Sequence, residues 1–248
     1  MSEELFMLSG VSVTVTGVYG TLTVVLLLLF MSFWLISRKK RTGQPVFAGQ
    51  VMNGIGFGLL PALAFLKAFQ DITTGKGSKV TEPLPLIRWL SEDGYYRPMR
   101  IETAAALGLF ILLCLWLLLR KNELPDNGDL LLIALSMWSA IRLVTEDFRR
   151  NPEILFHFTS CLVLMMCVTV WAVRRTKTYS MPLRTAADLT AVCICIAVNI
   201  LTASGVLSAG STIADFAVKT GSALLALILT LLVGGDVRRM SQKAAQQG

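Results

Sequence analysis

The sequence predicts an all-α, polytopic integral membrane protein of about seven transmembrane helices, with its N-terminus outside and its C-terminus in the cytoplasm. The 248 residues are 54% hydrophobic and 16% charged, whereas soluble domains are about 45–50% apolar and about 25% charged. The apolar residues form continuous blocks of about 20, long enough for a helix to cross ~30 Å of hydrocarbon. This composition excludes a soluble globular enzyme, a secreted disulfide scaffold and a disordered chain. A β-barrel is also disfavoured, because apolar and polar residues do not alternate within the blocks.

Seven blocks are candidate spans, in chain order: 11–36, 47–69, 101–119, 130–148, 154–173, 186–207 and 213–233. The first is too long for a signal peptide and follows Glu3 and Glu4, not a basic run, so we expect it to remain as a helix. In the second, Gly54 and Gly58 are four residues apart, which predicts close packing of another helix.

The distribution of lysine and arginine predicts the orientation. Four segments together hold 13 Lys/Arg and 5 Asp/Glu: 37–46, 120–129, 174–188 and 234–248. The rest of the chain holds 10 Lys/Arg and 11 Asp/Glu. Basic segments remain on the cytoplasmic side of a membrane. The net charge of +7 is therefore assigned to membrane anchoring, and no nucleic acid partner is predicted.

The chain is expected to form a single membrane domain over residues 1–248. Within it we distinguish the first two spans (11–70), an external loop (71–100), a core (101–178) and an additional two-helix hairpin (179–248). The external loop is the one long connection, and a loop of this length is often functional.

Metal and cofactor binding are not predicted. The five cysteines all lie inside apolar blocks, where they are expected to be buried small hydrophobes. None has the spacing of zinc ligands, and His157 is the single histidine.

Ionisable residues within the fourth span are the main candidate site, because charge at membrane depth is costly. At 1.5 Å per residue, Arg142 lies about 12 Å below the outer surface. Glu146 follows at i+4 and Arg149 at i+7, so the three are expected to share one helix face. Arginine suits bidentate phosphate recognition, which predicts an anionic headgroup site in the outer leaflet. The alternative is a structural ion pair between helices.

Other polar residues are predicted at similar depth. Tyr19 lies in the first span and Asn199 in the sixth, and Asp215 and Lys219 form an i, i+4 pair in the seventh. His157, near the outer end of the fifth span, is a candidate general base. Each also has a structural interpretation. Tyr19 is then a packed aromatic residue, Asn199 an interhelical hydrogen-bonding group, Asp215 and Lys219 an ion pair, and His157 an interfacial histidine.

Several stretches resemble the prolipoprotein diacylglyceryl transferase family, chiefly over residues 95–175. They are RPMRIE at 97–102, WLLLRK at 116–121, a turn through Pro125 and Gly128, IRLVTEDFRRNP at 141–152 and VYG at 18–20. The family shows the corresponding elements R-H-P-x-Q-L-Y-E, a span ending in basic residues, P-G, R-F-x-x-E-F-F-R-x-P-D and W-Y-G.

The resemblance implies an enzyme of the bacterial cytoplasmic membrane that transfers the diacylglyceryl group of phosphatidylglycerol to the cysteine thiol of a lipobox-containing preprotein. Arg142 would then face the phospholipid headgroup and Tyr19 would line the same pocket. The catalytic candidates are Arg142, Glu146, Tyr19 and His157. The substrate-binding candidates are Arg142, Arg149, Arg97, Arg100, Tyr19, Asn199 and Lys219.

Other family elements are absent from the chain. The H-G-G and R-x-G-N-F-x-N-x-E motifs do not occur, and the R-H-P position reads Tyr96-Arg97-Pro98. Two hypotheses therefore remain open: a divergent transferase, and a non-catalytic phospholipid-binding component of a partner complex. A transporter is a weaker alternative, because midplane discontinuous helices are not evident.

Overall fold

The computed structural model describes residues 4–8, 11–42, 48–74, 91–119, 128–149, 154–179 and 182–247. Seven α-helices lie in these ranges: α1 Val15–Thr42, α2 Ala48–Thr74, α3 Pro98–Leu119, α4 Asp129–Thr145, α5 Ile154–Tyr179, α6 Pro182–Ala203 and α7 Thr212–Gln247. A short 3-10 helix, Glu146–Phe148, directly continues α4. The predicted all-α class is confirmed.

Five of these helices are long and apolar enough to cross a membrane, and the chain is a multi-pass membrane protein. The five segments are Ala48–Ile72, Pro98–Leu119, Leu155–Lys177, Leu183–Ala203 and Thr212–Val237. In α1 the apolar segment Thr21–Ser37 is shorter, and α4 has 17 residues. The count of seven spans and their orientation remain predictions.

Two short antiparallel ribbons accompany the helices. The strand β1, Glu4–Leu8, pairs with β2, Val11–Thr14, so the helix in the first predicted span begins at Val15 rather than residue 11. The strand β3, Ser91–Glu92, pairs with β4, Tyr95–Tyr96.

The β3–β4 turn contains Asp93 and Gly94, whose φ angles are +53° and +76°. Positive φ at both positions is the geometry that an Asp-Gly hairpin turn favours. This ribbon forms the C-terminal part of the predicted external loop, and residues 75–90 of that loop lie outside the described ranges. Pro125 and residues 150–152, which belong to the family-like stretches, also lie outside them.

The chain divides into two compact units. The first comprises residues 1–75 and 99–131, and α1 packs closely on α2 within it. A Cβ atom at Gly54 would lie 2.8 Å from Met31 Cγ, and one at Gly58 would lie 3.0 Å from the Leu27 carbonyl oxygen. The close packing predicted for these glycines is confirmed.

A second contact in this unit involves Gly56, which the sequence analysis did not single out. A Cβ there would lie 2.3 Å from the backbone nitrogen of Leu131, so α2 meets the start of α4 backbone to backbone. Beside it, the fully buried Asn53 accepts a hydrogen bond through Oδ1 from the Leu130 N–H at 3.0 Å. Asn53 thereby satisfies one of the amides left without an intrahelical partner at the start of α4.

The second unit comprises residues 76–98 and 132–248, and α5, α6 and α7 pack on one another within it. Its core includes the fully buried Trp171, whose ring lies on Gly234, where an added Cβ would be 2.7 Å away. Cys161, Cys167 and Cys195 are buried, as predicted. The same prediction is wrong for Cys193, which is exposed on the opposite side of α6 from Cys195, because residues two apart on a helix point in different directions.

Candidate functional site

Two arginines share one carboxylate oxygen at the end of α4. Glu146 Oε2 lies 3.0 Å from Arg142 Nη2 and 3.0 Å from Arg149 Nε. The Glu146 side chain is 3% exposed, and those of Arg142 and Arg149 are 13% and 19% exposed. The three residues do contact one another, but not on one α-helical face as predicted: α4 ends at Thr145, Glu146 lies in the 3-10 helix, and Arg149 follows it with an extended backbone.

A second ion pair joins this group from α7. Lys219 Nζ lies 2.6 Å from Asp147 Oδ2, and Asp147 directly follows Glu146 in the chain. The predicted pairing of Lys219 with Asp215 is wrong. Asp215 instead accepts hydrogen bonds from the Ala209 N–H at 2.5 Å and the Ser208 hydroxyl at 3.2 Å, because the α6–α7 turn folds back over the start of α7.

We name these five side chains the α4 cluster: Arg142, Glu146, Asp147, Arg149 and Lys219. It brings three cations and two carboxylates together. Each of the three cations is at most 19% exposed. Charge removed from water in this way interacts with a bound anion more strongly than a solvated surface charge does.

Aromatic side chains support the α4 cluster. The Arg142 guanidinium carbon lies 5.4 Å from the ring centroid of Phe156 on α5, a cation–π arrangement. The buried Phe148, two residues after Glu146, packs on Tyr96 and Phe216 with ring centroids 4.9 and 5.3 Å away. These contacts hold the 3-10 helix in place and therefore position the Glu146 carboxylate.

His157 belongs to a hydrogen-bonded network beside the α4 cluster. Its Nε2 donates to Asn199 Oδ1, although the two residues are 42 positions apart. Asn199 Nδ2 in turn donates to the Lys219 carbonyl at 2.7 Å and to Ser222 Oγ at 3.0 Å. Lys219 thus links the two groups, with its ammonium on Asp147 and its carbonyl on Asn199.

The remaining candidates have other contact partners. Arg97 Nη2 pairs with Glu92 in the β3–β4 ribbon at 3.1 Å. In the first unit, Arg100 Nε pairs with Asp71 on α2 at 2.6 Å, and Tyr19 stacks on Phe69 with ring centroids 3.7 Å apart. The roles of Arg97, Arg100 and Tyr19 in substrate binding remain predictions.

Sequence reasoning missed three features of these sites. The spacing of Asp147 and Ser222 in the sequence does not indicate a role for either residue. Their roles are indicated by contacts, of Asp147 with Lys219 and of Ser222 with Asn199. In the first unit, the fully buried Glu102 pairs with Lys67 at 3.3 Å, and that lysine also donates to Gln70 at 2.8 Å. Among the residues that the structure describes, no group of three or more His, Cys, Asp or Glu side chains is placed to hold a metal ion.

A second charged group lies at the far end of α5, and we name it the α5–α7 clamp: Arg175, Arg184, Asp188 and Asp236. Arg175 is fully buried and pairs with Asp188 at 2.5 Å and with Asp236 at 3.4 Å. Arg184, which is 61% exposed, also pairs with Asp236 at 2.8 Å. Two cations and two carboxylates balance here.

Comparison of the chain with family models, with curated proteins and with solved structures finds no match.

Proposed function

We propose that this chain is a seven-span protein of the bacterial cytoplasmic membrane that binds the anionic headgroup of a phospholipid such as phosphatidylglycerol at the α4 cluster. The observation that carries the proposal is the sharing of Glu146 Oε2 by Arg142 and Arg149. Both guanidinium groups are thereby gathered at one point, and the planar donor fork of arginine matches a phosphate.

The proposed orientation has the N-terminus outside and the α4 cluster in the outer leaflet. Its support is the excess of Lys/Arg in the segments 37–46, 120–129, 174–188 and 234–248. Arg142 lies near the C-terminal end of α4, whereas segment 120–129 leads into the start of that helix.

A second candidate function is the transfer of the diacylglyceryl group to a cysteine thiol of a lipobox-containing preprotein. The resemblance over residues 95–175 supports it, and His157 beside the α4 cluster is the observation that favours it. In this scheme His157 accepts the thiol proton, the sulfur attacks the glyceryl carbon that carries the phosphate, and the C–O bond to that phosphate breaks. Arg142 neutralises charge on the leaving glycerol phosphate, and Glu146 orients both arginines.

Binding is tested by native mass spectrometry of the protein with phosphatidylglycerol and phosphatidylcholine. We expect selective retention of phosphatidylglycerol, a loss of about tenfold or more in Arg142→Ala, and partial recovery in Arg142→Lys, which keeps the charge but loses the fork. The matched control is Arg184→Ala, which removes an arginine from the α5–α7 clamp and should bind as wild type. If Arg142→Ala binds phosphatidylglycerol as wild type does, the headgroup assignment is wrong.

Transfer is tested separately with a lipobox peptide in phosphatidylglycerol vesicles. A peptide mass gain of one diacylglyceryl group, lost in Arg142→Ala, supports the enzyme. Selective lipid binding without any mass gain supports the non-catalytic component instead.

A further inference from the structure

The hydrogen bonds of Asn199 determine which end of its amide faces His157. The Lys219 carbonyl can only accept, so the group 2.7 Å from it must be the Asn199 NH2. The Ser222 hydroxyl donates to that same carbonyl at 3.0 Å, which leaves the Ser222 oxygen to accept from the amide. Both contacts turn the amide oxygen of Asn199 toward α5 and the imidazole.

This orientation selects one tautomer of the ring. A neutral imidazole has one donor nitrogen and one acceptor nitrogen. Because the partner of Nε2 is the Asn199 oxygen, Nε2 carries the hydrogen and Nδ1 retains its lone pair. His157 is 4% exposed and Asn199 is 1% exposed, so bulk water does not compete for this bond. Asn199 is the hydrogen-bond partner of the ring within the described part of the chain, and Nδ1 has no partner there.

The imidazole is tied to the α4 cluster on two sides. Phe156, the residue before His157, lies against the Arg142 guanidinium. Lys219 anchors Asn199 through its carbonyl and contacts Asp147 through its ammonium. A ligand held by the arginines would therefore have its neighbouring groups near the start of α5.

We infer that Asn199 is a positioning residue that holds His157 in the Nε2–H form, so that Nδ1 accepts a hydrogen bond from a headgroup hydroxyl of a lipid bound at the α4 cluster. The inference rests on the proposed function for the location of that ligand and adds a specific contact to it. The hydroxyl belongs to a polyol lipid headgroup, and a thiol donor from an acceptor peptide is the outcome of the experiment below that would count against it.

The tautomer can be read directly, because His157 is the single histidine of the chain. A protein labelled with ¹⁵N-histidine and placed in phosphatidylcholine nanodiscs has one pair of ring nitrogen signals. At mildly alkaline pH we expect the protonated signal to be Nε2 and the unprotonated, low-field signal to be Nδ1, assigned from their couplings to the two ring carbon-bound protons. A ring protonated at Nδ1 overturns the inference in wild type, without any variant.

Two variants test the role of Asn199. Asn199→Leu removes the oxygen that faces Nε2 and should yield a mixture of tautomers. Ser222→Ala removes one acceptor of the amide but leaves the Lys219 carbonyl in place, so the Nε2–H form should persist. An unchanged single Nε2–H form in folded Asn199→Leu would show that Asn199 does not position the ring.

The ligand contact is tested with two lipids of equal charge. Phosphatidylglycerol carries headgroup hydroxyls, whereas phosphatidylmethanol is an anionic phosphodiester without them. A high-field shift of Nδ1 with phosphatidylglycerol alone identifies a lipid hydroxyl as the donor. A shift with phosphatidylmethanol only after addition of a peptide with one cysteine identifies a thiol instead and counts against the inference. If both lipids bind and Nδ1 shifts in neither case, the inference is wrong.

Failure of the proposed function has a different signature. In that case Arg142→Ala and wild type retain phosphatidylglycerol equally, whatever the nitrogen spectrum shows. A single Nε2–H form would then still support the positioning by Asn199, and the contact with a ligand at the α4 cluster would be refuted.

Discussion

The α4 cluster and the α5–α7 clamp are both ion-pair groups of the second unit, but their charges are arranged differently. In the α4 cluster, Arg142 and Arg149 share one oxygen of Glu146, and three cations face two carboxylates. In the α5–α7 clamp, a fully buried Arg175 lies between two aspartates, and its charges balance. The two are separated along α5 by the 19 residues from Phe156 to Arg175, or about 28 Å at 1.5 Å per residue.

This difference in charge arrangement distinguishes the α5–α7 clamp, which holds helices together, from the α4 cluster, which can receive an anion. A balanced cluster gains nothing electrostatically from another ion, and Arg175 connects three consecutive helices through Asp188 and Asp236. A cluster that gathers poorly hydrated cations around one carboxylate oxygen lowers its free energy when an anion arrives. The predictions below test this distinction, beginning with the largest expected effect.

Arg175→Ala should produce the largest loss of stability. It removes the cation that two aspartates share within the α5–α7 clamp, and breaking such a buried pair costs about 3–5 kcal/mol. Thermal unfolding in detergent should show a markedly lower Tm, while the folded protein binds phosphatidylglycerol as wild type does. The control is Arg184→Ala, whose exposed side chain should contribute no more than about 1 kcal/mol. A loss of lipid binding in folded Arg175→Ala would mean that the clamp also serves the anion.

Glu146→Gln should increase the affinity for an anionic headgroup. The amide retains an oxygen for one arginine but removes a negative charge from among the three cations of the α4 cluster. We expect about tenfold tighter binding of phosphatidylglycerol, equivalent to ~1.4 kcal/mol, with lower thermal stability. Weaker binding would indicate that the orientation of Arg142 and Arg149 matters more than the removal of this charge.

Asp236→Asn tests whether charge imbalance is sufficient. It leaves the α5–α7 clamp with two cations and one carboxylate, an excess of one positive charge. If imbalance alone creates an anion site, a second phosphatidylglycerol should be retained in native mass spectra, with an affinity gain of about threefold (~0.7 kcal/mol). No additional retention would show that the paired arginine geometry is required as well.

Salt should have the smallest effect, and it should act on the α4 cluster alone. Raising ionic strength from about 0.1 M to about 1 M shortens the Debye length from ~10 Å to ~3 Å. We expect phosphatidylglycerol binding in nanodiscs to fall a few-fold. The contribution of Arg175 to Tm is measured as the difference between wild type and Arg175→Ala. This contribution should be unchanged, because Arg175 is fully buried. Equal salt sensitivity of both quantities would remove the distinction between the clusters.

The sequence alone determined the helical class and the grouping of Arg142, Glu146 and Arg149. Both depend on interactions along one segment: continuous apolar residues require an internally hydrogen-bonded helix in a membrane, and residues three or four positions apart in a helical stretch are neighbours. The first span was predicted too early, at residue 11, because hydropathy does not distinguish an apolar strand such as Val11–Thr14 from a helix.

Only the tertiary structure decided which helices supply partners to these residues. The i, i+4 rule paired Lys219 with Asp215, but α7 is rotated so that the ammonium reaches Asp147. The contact of His157 with Asn199 and the approach of Gly56 to Leu131 likewise join distant parts of the chain. Such contacts depend on the rotation and axial position of each helix against its neighbours, which packing determines. Hydrophobic periodicity identifies the buried side of a helix but does not specify which residue of a neighbouring helix lies opposite.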